Sequence, residues 1–155
     1  MSRAEMRRGA RLSAVQALYE MEIGGRGVTE AMAEFEAFWI GQEVEEIELP
    51  KAEIAFFRDL LGGVVREQRL VDRTVDRLLA EGWPLKRVEA VVRAIFRAGA
   101  YELAFRKDVP ARAVISEYVA VARAFYEGEE IGMVNAVLDK MAREFRADEF
   151  DAPAA

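Results

Sequence analysis

Residues Val88 to Pro110 read VEAVVRAIFRAGAYELAFRKDVP and carry the clearest helical signal in the chain. At 100° per residue, apolar residues recur on one side of this segment, as in a buried helix: Val88, Val92, Ile95, Phe96, Gly99 and Leu103. A glycine inside a helix costs about 1 kcal/mol relative to alanine, so Gly99 indicates a point where a second helix approaches closely. The opposite side carries Arg93, Arg97 and Tyr101. We therefore predict a central helix that contacts neighbours on more than one side and ends before Pro110.

The same periodicity predicts six more helices and no β-strand. The expected helices cover, in order, residues 4–23, 29 to about 41, 50–65, 70–79, 111–126 and 129–146. An acidic connector is expected over residues 43–50, a break at Gly82-Trp83-Pro84, and a disordered tail over residues 147–155. We therefore predict an all-α fold of about seven helices. Residues 1–146 are expected to form one domain with two packed helical lobes, about residues 1–82 and 83–146.

The composition excludes several function classes. The chain of 155 residues has neither cysteine nor histidine, which removes disulfides, thiolate chemistry and the commonest general base and metal ligand. Its glycine pairs lack the spacing and the following Lys-Ser/Thr of a phosphate-binding loop. It contains no apolar run of membrane-spanning length, and its first residues lack the apolar segment of a signal peptide. We therefore expect a cytoplasmic protein that is not an enzyme and binds no metal or cofactor.

Charge is distributed unevenly along the chain. With 22 Lys and Arg against 28 Asp and Glu the net charge is −6, yet residues 1–11 contain four arginines and one glutamate. Arg7 and Arg11 lie on nearly the same side of the first helix as Leu18. Because charged groups avoid an apolar core, the first turns are expected to project beyond the packed helices or to stay loose. A frayed, solvated terminus explains this stretch equally well.

The last predicted helix carries two further candidate residues. Met133 lies about 100° from the apolar stripe of that helix, so we expect it at an edge of the core or exposed. An exposed methionine is usually unremarkable. Near basic residues such as Lys140, however, it can belong to a surface that contacts bases.

Three segments together carry a family resemblance. They are RRGARLSAVQALYEME (Arg7–Glu22), FFRDLLGGVV (Phe56–Val65) with RAIFRAGAYEL (Arg93–Leu103), and DVPARAVISEYVAVARAF with MVNAVLDKM between Asp108 and Met141. In this order, and across nearly the whole chain, they resemble the NusB family of bacterial transcription antitermination factors. The resemblance implies two three-helix bundles and a non-enzymatic role. That role is to pair with the small-subunit ribosomal protein NusE and bind boxA-type single-stranded RNA, in the RNA polymerase antitermination complex of ribosomal RNA operons.

The resemblance also implies which residues meet RNA. Arg7, Arg8 and Arg11 match the arginine-rich RNA-binding start of the family. The family often carries phenylalanine where this chain has Met133, so Met133 is the candidate for that RNA contact. Lys140 is the remaining RNA-binding candidate on the same helix.

Other residues correspond to the contacts of the family with its ribosomal-protein partner. Tyr19 lies in the matching AVQALY segment, where the family meets that partner. Glu129 occupies an acidic position, before the last predicted helix, that affects partner binding. Val92 stands where many members carry Asp or Glu facing the partner, and Glu89, about one turn earlier, is the candidate replacement. Ser116 replaces the asparagine of the usual Ile-Asn-Glu segment.

Two other functions are compatible with the same helical pattern. NusB-like domains also recognise RNA at the front of RNA cytosine methyltransferases, but this chain has no cysteine and cannot do that chemistry alone. A helical scaffold or homodimer without an RNA role is the third interpretation. Binding of RNA with and without the ribosomal protein separates the first interpretation from the third.

Overall fold

The computed structural model describes residues 2–41, 43–44, 47–48, 51–80 and 89–150. Eight α-helices are formed by these residues: α1 (Arg3–Gly24), α2 (Val28–Glu34), α3 (Ile54–Arg66), α4 (Gln68–Ala80), α5 (Ala90–Phe105), α6 (Ala111–Phe125), α7 (Glu129–Phe145) and α8 (Ala147–Phe150). A π-helical turn over Phe35–Trp39 continues α2. Two antiparallel two-residue strands, β1 (Glu43–Val44) and β2 (Ile47–Glu48), follow it. In the described part of the chain, no helix has both the length and the apolar character needed to cross a lipid bilayer.

The all-α prediction is confirmed, with local corrections. The region expected to be a plain acidic connector contains β1 and β2, although the sequence shows no strand pattern. The second helix begins at Val28, one residue before its expected start at residue 29. Residues 147–150 form α8, so the expected disordered tail is wrong for them. The predicted break at Gly82-Trp83-Pro84 lies outside the described residues.

The chain divides into two compact units, Met1–Gln68 and Arg69–Ala155. The division falls at the start of α4, whereas the lobe boundary predicted near residue 82 lies outside the described residues and stays a prediction. An ion pair joins α4 to α5 of the second unit, with Arg97 Nε 2.8 Å from Asp72 Oδ1. That the two units act as one domain stays a prediction.

The first unit has its core between α1, α2 and α3. The π-helical turn supplies Phe35, whose ring lies 5.9 Å from the Trp39 ring and 6.2 Å from the Phe57 ring, both stacked. At Gly9, the backbone of α1 also lies directly against the backbone of Lys51, just before α3, with no side chain between them. A Cβ atom on Gly9 would collide with the carbonyl oxygen of Lys51, so only glycine fits at this crossing.

The second unit is built around α5, which packs against both α6 and α7. A Cβ atom on Gly99 would lie 2.6 Å from Leu138 Cδ2 of α7 and 3.7 Å from Tyr118 Cδ2 of α6. This confirms the close helix approach predicted at Gly99. The Tyr118 hydroxyl also donates a hydrogen bond to Glu102 Oε1 at 2.9 Å. This bond gives a partner to a carboxylate whose residue is 0% exposed.

Arg146, which is 1% exposed, joins the end of α5 to the beginning of α6. Its guanidinium donates to three backbone carbonyl oxygens at 2.7 to 2.9 Å, those of Leu103, Arg106 and Val109. It also donates to Glu149 Oε2 at 2.6 Å, while Glu149 Oε1 accepts from the Ala111 N–H at 2.9 Å. Carbonyls at a helix end and N–H groups at a helix start lack partners within the helix. Arg146 supplies the partners for the carbonyls, and Glu149 supplies the partner for the Ala111 N–H. These bonds explain why residues 147–150 are ordered.

Candidate nucleic-acid interface

The basic beginning of α1 is capped and attached to the first unit. Ser2 Oγ accepts from the Glu5 N–H at 3.1 Å and donates to Glu5 Oε1 at 3.2 Å, a reciprocal N-terminal cap. The Glu53 N–H, just before α3, donates to the Met6 carbonyl at 3.0 Å. The expectation that the first turns project beyond the packed helices or stay loose is therefore wrong.

Arg7 and Arg11 both pack against Phe56 of α3. Their guanidinium carbons lie 4.5 and 5.0 Å from the centre of the Phe56 ring, within cation–π range. Arg11 is only 4% exposed. A guanidinium is planar and weakly hydrated, so it can stack on an aromatic face inside a core. Arg11 thus stabilises the first unit, and its burial contradicts the expectation that it presents its charge to RNA.

Glu53 places a carboxylate between two arginines of α1. Its Oε2 atom lies 3.3 Å from Arg7 Nε and 3.7 Å from Arg3 Nε. The Arg7 side chain is 16% exposed, whereas Arg8 is exposed. Of the three arginines predicted to bind RNA, Arg8 is therefore the most accessible, Arg7 is half-buried beside a carboxylate, and Arg11 belongs to the core.

One face of α1 connects the RNA-binding and partner-binding candidates of the first unit. Arg8, Leu12, Gln16 and Tyr19 lie within about 80° of one another around the helix. Arg8 is exposed and the other three are half-buried. Within the described part of the chain, the Tyr19 hydroxyl makes no hydrogen bond. Leu12 and Gln16 are not predicted as site residues, although their spacing of four and eight residues from Arg8 is visible in the sequence.

The two RNA-binding candidates of α7 differ in accessibility. Lys140 is exposed. Met133 lies on nearly the same side of α7, about 20° away, but is only 9% exposed. It occupies the edge of the core, where the sequence predicts it, yet most of its surface is covered. A base that approaches Lys140 would therefore find little of Met133 to contact.

The acidic candidates of the second unit lie at one end of the α5, α6 and α7 bundle. Glu89 precedes α5, and Glu129 begins α7. Tyr126, which follows α6, donates its hydroxyl to Glu89 Oε2 at 2.9 Å, and both glutamates are exposed. Val92 is only 1% exposed and belongs to the apolar stripe of α5, so its burial contradicts the expectation that it faces a partner. Within the described residues, no three or more acidic side chains converge as a metal site.

Known proteins share this sequence and this fold. A family model described as the NusB family matches residues 8–143. The transcription antitermination protein NusB of Rhodopseudomonas palustris strain TIE-1 is 63% identical over 148 residues, which cover 96% of this chain and 85% of that protein. NusB of Nitrobacter hamburgensis is 61% identical, with 96% and 92% covered. The structure of T. maritima NusB superposes with a TM-score of 0.73 at 25% identity, covering 93% of this chain and 96% of that one. The chain belongs to the NusB family.

Proposed function

We propose that this protein is an RNA-binding transcription antitermination factor that pairs with the ribosomal protein NusE to bind boxA-type RNA. Relatives up to 63% identical across 96% of the chain are named transcription antitermination proteins, which supports this role. The observation that carries the RNA part is the group of arginines at the beginning of α1, of which Arg3 and Arg8 are exposed. Membership of the NusB family, which is non-enzymatic, confirms the expectation that the protein is not an enzyme.

RNA binding is assigned to the beginning of α1 because it concentrates positive charge on an acidic protein. Arg3 and Arg8 are exposed there, and Arg7 is partly exposed. An arginine keeps its charge and can donate two parallel hydrogen bonds to a phosphate, so it suits a nucleic-acid backbone. Because the net charge of the chain is −6, this local concentration of arginines favours RNA binding at this end.

Partner binding is assigned to Tyr19 and to the acidic end of the second unit. Tyr19 offers a ring and a hydroxyl at the same position, a combination enriched in protein interfaces. A ribosomal protein contacts RNA and so carries basic surfaces, which the exposed carboxylates of Glu89 and Glu129 would attract. We also propose that the assembly works in the cytoplasm, as part of the RNA polymerase antitermination complex.

A mobility-shift titration tests this function. The protein is titrated into boxA RNA with and without NusE, and in parallel into an RNA of the same length and composition with the order of bases scrambled. We expect a complex that forms most readily with NusE and boxA RNA together. Equal shifts with the scrambled RNA, or no shift in any mixture, would contradict the proposal. A homodimer seen by size-exclusion chromatography that NusE does not dissociate would support the scaffold interpretation instead.

A further inference from the structure

A polar groove runs between α6 and α7 in the second unit. It has a volume of about 360 Å³ and is lined from α6 by Arg112, Ile115, Ser116, Val119 and Arg123 and from α7 by Asn135 and Asp139. The α6 residues recur every three or four positions, so they form one side of that helix. Ile115 and Val119 are 9% and 8% exposed and make an apolar floor between the polar groups.

Most polar groups of this groove make no hydrogen bond within the described part of the chain. The side chains of Arg112, Ser116, Arg123 and Asn135 make no hydrogen bond or ion pair with another residue in the described part of the chain. Most side chains of this kind bond to the protein or to water, and four that converge on one open groove can bind a ligand together. Asp139 is different, because its Oδ2 atom accepts from Arg143 Nε at 2.8 Å.

The charge of the groove is positive. Arg112 and Arg123 contribute two positive charges to its lining against the single carboxylate of Asp139, and that carboxylate is already paired with Arg143. Arg112 and Arg143 both lie over the Phe150 ring, at 4.9 and 4.8 Å from its centre, so a second arginine lies close to Arg112 of the groove. This accumulation on a chain of net charge −6 favours an anionic ligand.

We propose that the α6–α7 groove is a second contact for single-stranded RNA, an inference that rests on the proposed function. Arg112 and Arg123 are eleven residues apart, about 16 Å along α6, so they can reach different phosphates of one strand. Ile115 and Val119 offer a base an apolar surface, and Asn135 offers a donor and an acceptor for its edge. Asn135 and Asp139 lie about 160° and 120° around α7 from Met133, so this contact is separate from the one expected at Met133 and Lys140.

Paired charge substitutions test the groove. The groove variant is Arg112→Gln/Arg123→Gln, and the matched control is Arg69→Gln/Arg73→Gln, which removes two exposed arginines from α4 of the same unit. The affinity for fluorescein-labelled boxA RNA is measured by anisotropy, with NusE present, at several salt concentrations. We expect the groove variant to bind the RNA about tenfold more weakly than the control. We also expect the slope of log affinity against log salt to become shallower by about 1.4, since two phosphate contacts are lost.

Two further variants make the result unambiguous. Arg123→Gln alone leaves the contact of Arg112 with Phe150 in place, so it shows the loss even if the double variant folds poorly. Asp139→Asn removes the one carboxylate and releases Arg143, so it is expected to strengthen RNA binding.

Each outcome is decisive. If the wild type binds RNA but the groove variants match the control, the groove proposal is wrong and the proposed function stands. If the wild type does not bind RNA with NusE, both are wrong. If the groove variants lose NusE and keep their affinity for RNA, the groove is a protein-binding site and the RNA proposal is overturned.

Discussion

Arg11 shows how an arginine can be charged and still belong to a core. Its guanidinium lies over the Phe56 ring, and the residue is 4% exposed. Arg8, three positions earlier and about 60° around the same helix, is exposed. The arginines of one short segment therefore divide into a structural one and an accessible one, and substitutions can separate the two roles.

Replacing Arg11 by alanine is expected to lower the free energy of unfolding by about 1–3 kcal/mol, because the cation–π contact and the packing of the aliphatic stem are both lost. Arg8→Ala is expected to change it by less than about 0.5 kcal/mol, as is usual for an exposed position. Urea denaturation followed by circular dichroism measures both. Equal stability of the two variants would show that Arg11 is not part of the core.

At the scale of helices, three glycines have different neighbours. Gly9→Ala would bring a Cβ atom into the backbone of Lys51, which cannot move aside, so we expect the largest destabilisation, about 3 kcal/mol or more. Gly99→Ala meets the Leu138 side chain, which can shift slightly, and about 1–2 kcal/mol is expected. Gly132→Ala meets nothing within 4 Å in α7 and should stabilise by up to about 1 kcal/mol.

The midpoints of thermal unfolding should therefore rank Gly132→Ala, wild type, Gly99→Ala and Gly9→Ala from highest to lowest. A Gly9→Ala protein as stable as the wild type would mean that α1 does not approach the chain before α3 as closely as described.

The junction of α5, α6 and α8 should make stability depend on pH. The Ala111 N–H and then the Arg146 guanidinium hold the pKa of the Glu149 carboxyl below its ordinary value. A lowered pKa in the folded state contributes stability that is present above the ordinary glutamate pKa of about 4.3 and is lost as the pH falls below it. Glu149→Gln should therefore cost about 1 kcal/mol at neutral pH, and this cost should shrink as the pH falls through the lowered pKa of Glu149.

The control for this experiment is Glu127→Gln, an exposed residue without an assigned contact in the described part of the chain. Denaturant unfolding at intervals between pH 7 and pH 3 gives the comparison. A Glu149→Gln variant that parallels the wild type at every pH would show that this carboxylate does not stabilise the junction.

For the whole molecule, local periodicity was sufficient to predict the helices but not how they meet. The apolar spacing of residues 111–126 predicts α6 to within one residue, and Gly99 reveals a close helix contact. Arg11 with Phe56, and Arg146 with the carbonyl of Leu103, join residues 45 and 43 positions apart. Such contacts leave no local pattern in the sequence. Helical periodicity therefore predicts neither the burial of Arg11 nor the ordered residues 147–150 of α8.

The same limit applies to the site. Arg8 and Tyr19 are candidates because a family motif contains them, and their roles stay predictions. The burial of Arg11 and Val92 could be known only from the packed structure. For Val92, the apolar stripe of α5 already favoured the core over a partner contact, so the periodicity was the better guide at that position.

RNA affinity as a function of salt tests the central claim most directly. The protein with NusE is titrated with boxA RNA at several salt concentrations, and Arg8→Gln is compared with Arg66→Gln, which removes an exposed charge from α3. Each lost phosphate contact to single-stranded RNA reduces the slope of log affinity against log salt by about 0.7. For Arg8→Gln we expect a slope reduced by this amount and weaker binding of the RNA. For Arg66→Gln we expect the slope and the affinity of the wild type. Identical slopes and affinities for the two variants would contradict the assignment of RNA binding to α1.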